Sequence, residues 1–248
     1  MNSKLGSDLG DAVGIAPISV PKASDILADR LRDLILSGSV KPGESLPSER
    51  DLVSTSGLSR SSVRDALRIL EVEGLIATRP GRSGGSIVQR PDRQSVARPM
   101  ELFVKSHEIH LESLLDCRLA VEPFLAARAA THHTDEELAD IRRIHEKFLA
   151  TTDNLAEYKK LSLEWHLAIA RSSHNELLIA LMEAISHPIH EAAGYREVTT
   201  EQIRAEAKKA HCAILEAIEE RNPELAHNRM AKHLGAYMDV ARTIPNSE

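Results

Sequence analysis

Between residues 46 and 90 the chain is punctuated so closely that few folds can accommodate it. In Leu46-Pro47-Ser48-Glu49-Arg50, Ser48 stands where a helix would be capped. Leu52 and Val53 supply an inward face for that helix, and Gly57 stops it. Ser59 then opens a second helix, expected to run to Glu73, with Val63, Ala66, Leu67 and Leu70 on one apolar stripe. Gly74 ends it. Short strands are expected over 75–78 and 87–89, joined by a glycine-rich loop over 79–86 that can enter positive φ. Upstream, a helix over 24–36 carries Leu27, Leu31, Leu34 and Ile35, and Gly38 and Pro42-Gly43 close it. Helix, helix, turn, helix and hairpin follow one another within about 70 residues, which is the plan of a winged helix-turn-helix.

The charges in this segment lie in a pattern. Arg60, Arg64 and Arg68 recur every four residues, so they share one helix face. Arg60 and Arg64 fall in the first turns, where a helix laid in the major groove meets base edges. Arginine suits that place because its guanidinium reads guanine through two parallel hydrogen bonds. Arg50 stands in the preceding helix, within reach of the same groove. Ser59 and Ser61 offer hydroxyls and N-terminal amides to phosphate. In the hairpin loop, Gly81 lets the backbone come close and Arg82 reaches phosphate or the minor groove. Any one of these arginines alone reads as a solvated surface side chain. Turn, basic helix and basic glycine-tipped hairpin together point to double-stranded DNA. Residues 21–93 carry 12 Lys/Arg against 10 Asp/Glu in a chain whose net charge is −6, so the acidic excess lies elsewhere.

The remainder reads as a second, acidic domain. Hydrophobic residues make up 42% of the chain but aromatics only 3%, so the core must be built from aliphatic side chains and alanine. Helical periodicity runs from about residue 97 to 242, with almost no strand signal. Thr134 with Glu137 forms an expected capping box, and Asn222-Pro223 an expected helix start. The fold class expected is therefore mainly α: a winged helix-turn-helix over 21–90 and an antiparallel all-helical bundle over 100–248. A disordered tail over 1–20 and a linker over 91–99 complete the expected organisation. Cys117 and Cys212 are in neither metal nor redox spacing, which fits a reducing compartment. No apolar run approaches the roughly 18 residues of a membrane span, and the first 20 residues do not read as a secretory signal. The expected location is the cytoplasm.

Histidines concentrate in the second domain. His145 shares a stripe with Leu138, Ile141 and Phe148 and reads as a core residue. Three others stand on apolar faces of three helices: His166 beside Leu163 and Ala170, His211 beside Ile214 and Leu215, and His233 beside Met230 and Tyr237. Facing helices of a bundle can bring such rings together around an ion, and imidazole suits Zn, Ni, Cu or Fe. Each ring is also readable as a hydrogen-bonded core histidine.

Residues 21–90 resemble the DNA-binding domain of GntR-family transcription regulators, through Pro42-Gly43-Glu44-Ser45-Leu46-Pro47-Ser48-Glu49-Arg50, Ser59-Arg60, Val63-Arg64-Asp65-Ala66-Leu67, Glu73-Gly74-Leu75-Ile76 and Arg79-Pro80-Gly81-Arg82. The later region resembles the FCD ligand-binding domain of the FadR subgroup, through Asp116, Arg118, Glu122-Pro123, Trp165-His166, Asn175, His211 and His233-Leu234. The resemblance implies that Arg50, Arg60 and Arg64 contact DNA and that the wing near Gly81 reads the minor groove. It implies a divalent metal, Zn or Ni, on His166, His211 and His233, and a small carboxylate effector on Arg118 and Asn175. The family aspartate four residues before the first histidine is Ser162 here, a poor ligand, and Glu164 points away from His166 on the helix. Arg118 is equally readable as the i,i+4 partner of Glu122, and Asn175 as a helix cap.

The expectation is a homodimeric, operator-binding regulator, a repressor by family custom, and not an enzyme. Two other readings stand beside it: a regulator whose effector is the ion itself, and a three-histidine metalloenzyme with an open coordination position. Against the enzyme, no acid/base residue stands at a suitable spacing.

Overall fold

The structure, a computed structural model, is described for residues 20–79, 85–151, 154–191 and 199–242. Gly81, Arg82 and most of the expected N-terminal tail lie outside the described residues. The chain divides into two compact units, Met1–Pro91 and Asp92–Glu248.

The first unit contains α1 (Ala23–Leu36), α2 (Glu49–Ser56), α3 (Arg60–Val72), β1 (Ile76–Arg79) and β2 (Gly85–Val88). Ser48 Oγ accepts the Asp51 N–H and Ser59 Oγ the Ser62 N–H, each at 3.2 Å, so both helices start where the sequence places their caps. Gly57, at φ +70°, makes the left-handed turn between them. Leu27, Leu31, Ile35, Leu46, Leu52, Val63, Leu67, Leu70, Ile76 and Val88 form one core. β1 and β2 pair antiparallel from Ile76↔Val88 to Arg79↔Gly85. The other edge of β2 is occupied by the segment after α1. Gly43 N–H donates to Val88 O and Val88 N–H to Glu44 O, both at 2.8 Å, and Leu46 N–H donates to Ser86 O at 2.9 Å. The base of the wing is thus three segments wide. Arg32 forks onto Glu73, Nε to Oε2 at 2.9 Å and Nη2 to Oε1 at 2.6 Å, tying α1 to the C-terminal end of α3.

The second unit is helical throughout its described residues: α4 (Gln94–Ser106), α5 (Leu111–His132), α6 (Asp135–Ala150), α7 (Leu155–Arg171), α8 (Glu176–Glu191), α9 (Glu201–Glu219) and α10 (Pro223–Ala241). The linker expected over 91–99 is mostly helix, because α4 begins at Gln94. Asp92 starts it: Oδ1 accepts the Ser95 N–H at 3.0 Å. Pro99 is carried inside the helix, where its missing N–H leaves the Ser95 carbonyl without its usual donor. Arg93 grips Glu176 of α8 through two bonds at 2.8 and 3.0 Å.

Leu111, Leu114, Leu115, Glu122, Leu125, Ala126, Ala129 and Ala130 of α5 are all buried, which makes it the central helix. α10 lies along it, with α9 packed on α10. The capping box of α6 is present, with Thr134 Oγ1 accepting the Glu137 N–H at 3.2 Å and Glu137 Oε2 accepting the Thr134 N–H at 2.9 Å. Asn222 caps α10 through the Leu225 N–H at 3.0 Å. Among the described residues three apolar clusters fill the unit, one around Leu115, Met182 and Met238, one around Trp165, Ile214 and Ile218, and a small one of Phe148, Tyr158 and Leu161.

Candidate functional site

The first unit presents its arginines outward. Arg50, Arg60, Arg64 and Arg68 are exposed, and Val63, Ala66, Leu67 and Leu70 on the other side of α3 are buried. The core face and the arginine face are therefore two sides of one helix. Arg64 Nε donates to Glu49 Oε2 at 3.0 Å with both side chains mostly exposed, a contact worth little in water. Ser59 serves the helix itself, since its Oγ caps α3 and lies 2.8 Å from Ser61 Oγ and 3.0 Å from Ser62 Oγ. The positive N-terminal end of α3 sits on the same surface as the arginines.

In the second unit three helices converge on a histidine cluster. His166 of α7, His211 of α9 and His233 of α10 are buried, with one nitrogen of each within 4.8 Å of the others. His211 Nε2 and His233 Nε2 are 3.1 Å apart. Burial pushes all three rings below the ordinary histidine range, and their mutual repulsion adds to this for His211 and His233. They are neutral at neutral pH, the form in which imidazole binds metal.

The surroundings of the three rings differ. Glu122 of α5 is buried, receives Arg118 Nε on Oε1 and meets His166 Nδ1 with Oε2. Burial opposes the charge on Glu122, but Arg118 and His166 outweigh it and hold the carboxyl well below the usual carboxylate range. His211 is stacked on Trp165, ring centroids 3.9 Å apart and planes 15° from parallel, and its Nδ1 has no hydrogen-bond partner. His233 meets Tyr237 edge-on, and Tyr237 OH lies 3.4 Å from Tyr158 OH.

The donor set fits a divalent ion. Three neutral imidazoles face one another, and ligand nitrogens at bond lengths of about 2.0–2.1 Å sit roughly 3 Å apart around such an ion. His211 and His233 already meet that spacing. Glu164 is not part of the cluster, and both it and Ser162 are half-buried on α7.

Arg118 forms the ion pair with Glu122 that the i,i+4 spacing allowed. Asn175 Oδ1 accepts the Leu178 N–H at 3.2 Å and so caps α8. His145 is buried as expected, but only its Nε2 finds a partner, Cys212 Sγ at 3.4 Å. Sequence reasoning did not find the Glu122–His166 contact. The available signal was a glutamate standing directly before Pro123 and among the apolar residues Val121, Leu125 and Ala126.

Residues 23–84 match the bacterial regulatory proteins of the gntR family, and residues 113–236 match the FCD domain. The Glc operon transcriptional activator of Escherichia coli (strain K12) is 32% identical over 219 residues, 85% of each chain. The HTH-type transcriptional repressor NanR of Salmonella newport (strain SL254) is 26% identical over 242 residues, 93% of this chain and 89% of its own. The solved structure of a Streptococcus agalactiae GntR protein superposes with a TM-score of 0.66 at 25% identity, covering 89% of this chain and 100% of that one. The chain therefore belongs to the GntR family of transcription regulators, with a C-terminal FCD domain.

Proposed function

We propose that this regulator binds its operator as a homodimer through Arg50, Arg60, Arg64, Ser61 and the wing residues Gly81 and Arg82, with Ser59 holding α3 in place. In this reading the second unit takes a small carboxylate metabolite on a divalent ion, Zn or Ni, held by His166, His211 and His233. The observation that carries the reading is the meeting of three buried imidazoles from three helices, one nitrogen of each within 4.8 Å of the others. The ion, when bound, supplies Lewis-acid affinity for the carboxylate. Arg118 supplies the second grip: a guanidinium carries five donors, so its bond to Glu122 is compatible with an effector carboxylate. Asn175 can serve only through its amide NH2, since its oxygen caps α8.

Effector binding changes operator affinity by favouring one placement of the paired DNA-binding units over another against a fixed half-site spacing. Of the relatives, one is named an activator and another a repressor.

The test is operator affinity, by fluorescence anisotropy, in three states: metal-stripped, Zn2+-restored, and restored with a panel of small carboxylates. A change on adding a carboxylate to the restored protein is expected. A response to Zn2+ alone would make the ion the effector, and indifference to every addition would end the proposal. In parallel, His211→Ala should abolish metal retention by elemental analysis. Metal content equal to wild type would place the ion elsewhere.

A further inference from the structure

Glu122 has no role in the reading above, yet it is the one carboxylate buried against the histidine cluster among the described residues. It projects from α5, a helix that contributes none of the three imidazoles. We propose that Glu122 is a positioning residue for the ion: the outer carboxylate of a carboxylate–histidine–metal triad acting through His166. The inference rests on the reading that the three histidines hold a metal.

The geometry around His166 supports this. Glu122 Oε2 lies 2.5 Å from His166 Nδ1. An ionised carboxylate can only accept, so Nδ1 must carry the proton. The lone pair of His166 is therefore on Nε2, and the ring is held with that nitrogen as its available ligand atom. Carboxylates in this position fix the tautomer and ring direction of a metal-binding histidine and make it a better donor. Arg118 holds the carboxylate in turn, Nε to Oε1 across one helical turn, so the order of contact is Arg118, Glu122, His166.

The arrangement answers a departure in the sequence. Where the family resemblance implies an aspartate ligand, this chain has Ser162. A buried divalent cation among three neutral rings lacks a nearby negative charge unless another residue supplies it. Glu122 supplies it from the far side of His166. It serves as an orienting and neutralising group and leaves the ion's remaining positions to the effector. His211 gives the contrast: no described protein group meets its Nδ1. Of these two rings, it is His166 whose Nδ1 is held by a described protein group.

The experiment measures Zn2+ affinity by competition titration in full-length wild type, Glu122→Ala and Glu122→Gln, with folding followed by far-UV circular dichroism. The alanine variant is expected to bind about ten- to a hundredfold more weakly. The glutamine variant should recover part of the loss, because its amide oxygen still accepts from Nδ1–H. If Glu122 serves only the fold, both variants melt earlier but bind Zn2+ as tightly as wild type once folded, and the proposal is overturned. Should the alanine variant not fold, the wild-type protein still decides. Long-range 1H–15N spectra of the metal-free chain should show His166 as the Nδ1–H tautomer, with Zn2+ shifting Nε2. An Nε2–H tautomer, or coordination through Nδ1, overturns it. Absence of Zn2+ binding in wild type is a separate outcome: it removes the metal reading itself, and the proposal with it.

Discussion

Arg64 is the residue at which the proposed DNA-contact surface is most open to test. Its bond to Glu49 is exposed and contributes at most about 1 kcal/mol to stability. Arg64→Ala should therefore leave the melting temperature nearly unchanged while weakening operator binding by about 1–3 kcal/mol if the side chain reads a base. A gel-shift titration with unaltered affinity would remove Arg64 from the contact set. The arginines were legible in the sequence because their four-residue spacing and the apolar stripe behind them are both local. The three histidines were legible for a similar reason, since each interrupts an otherwise apolar stripe. Glu122 was legible only as a partner for Arg118 one turn away. Its contact with His166 spans 44 residues, and no local pattern encodes it.

At the scale of elements, caps and turns were the most legible features. Ser48, Ser59, Thr134 and Asn222 all cap the helices they precede. Gly57 is required by its turn: nothing lies within 4 Å of where a Cβ would stand, so the restriction is backbone conformation alone. Gly57→Ala should cost about 1–2 kcal/mol through the left-handed φ, measured by urea unfolding. Ordinary stability in that variant would mean the turn relaxes to another conformation. The capping box of α6 has a pH signature. Burial opposes the charge on Glu137, but the Thr134 backbone N–H and His174 hold its carboxyl below the usual range. A carboxyl depressed in the folded state stabilises above its unfolded value, about 4.3, and that contribution is lost as pH falls through the folded value. Glu137→Gln should therefore melt earlier than wild type at neutral pH and lose less stability between roughly pH 5 and 3. Parallel melting curves in acid would contradict this. The start of α4 was illegible because Pro91 and Pro99 read as breakers, while the cap that overrides them comes from the intervening Asp92.

Across the whole molecule, the two units keep separate cores, one around α3 and the wing, the other around α5 and the histidines. The fold class of both was legible, since periodicity of 3.6 and a single glycine-tipped hairpin leave little choice. The convergence of α7, α9 and α10 on one point was implied only by the family resemblance, because periodicity gives the face of a helix but not its neighbour. That convergence has an optical consequence. The chain contains one tryptophan, and its indole lies flat on the imidazole of His211. Whatever seizes that imidazole alters the excited state of the only strong emitter in the protein. Intrinsic emission should change on adding Zn2+ and saturate at one equivalent, and the change should vanish in His211→Ala. An emission spectrum blind to the ion would mean that it never reaches His211. The molecule thus carries its own indicator dye, placed by the same packing that brings the three imidazoles together.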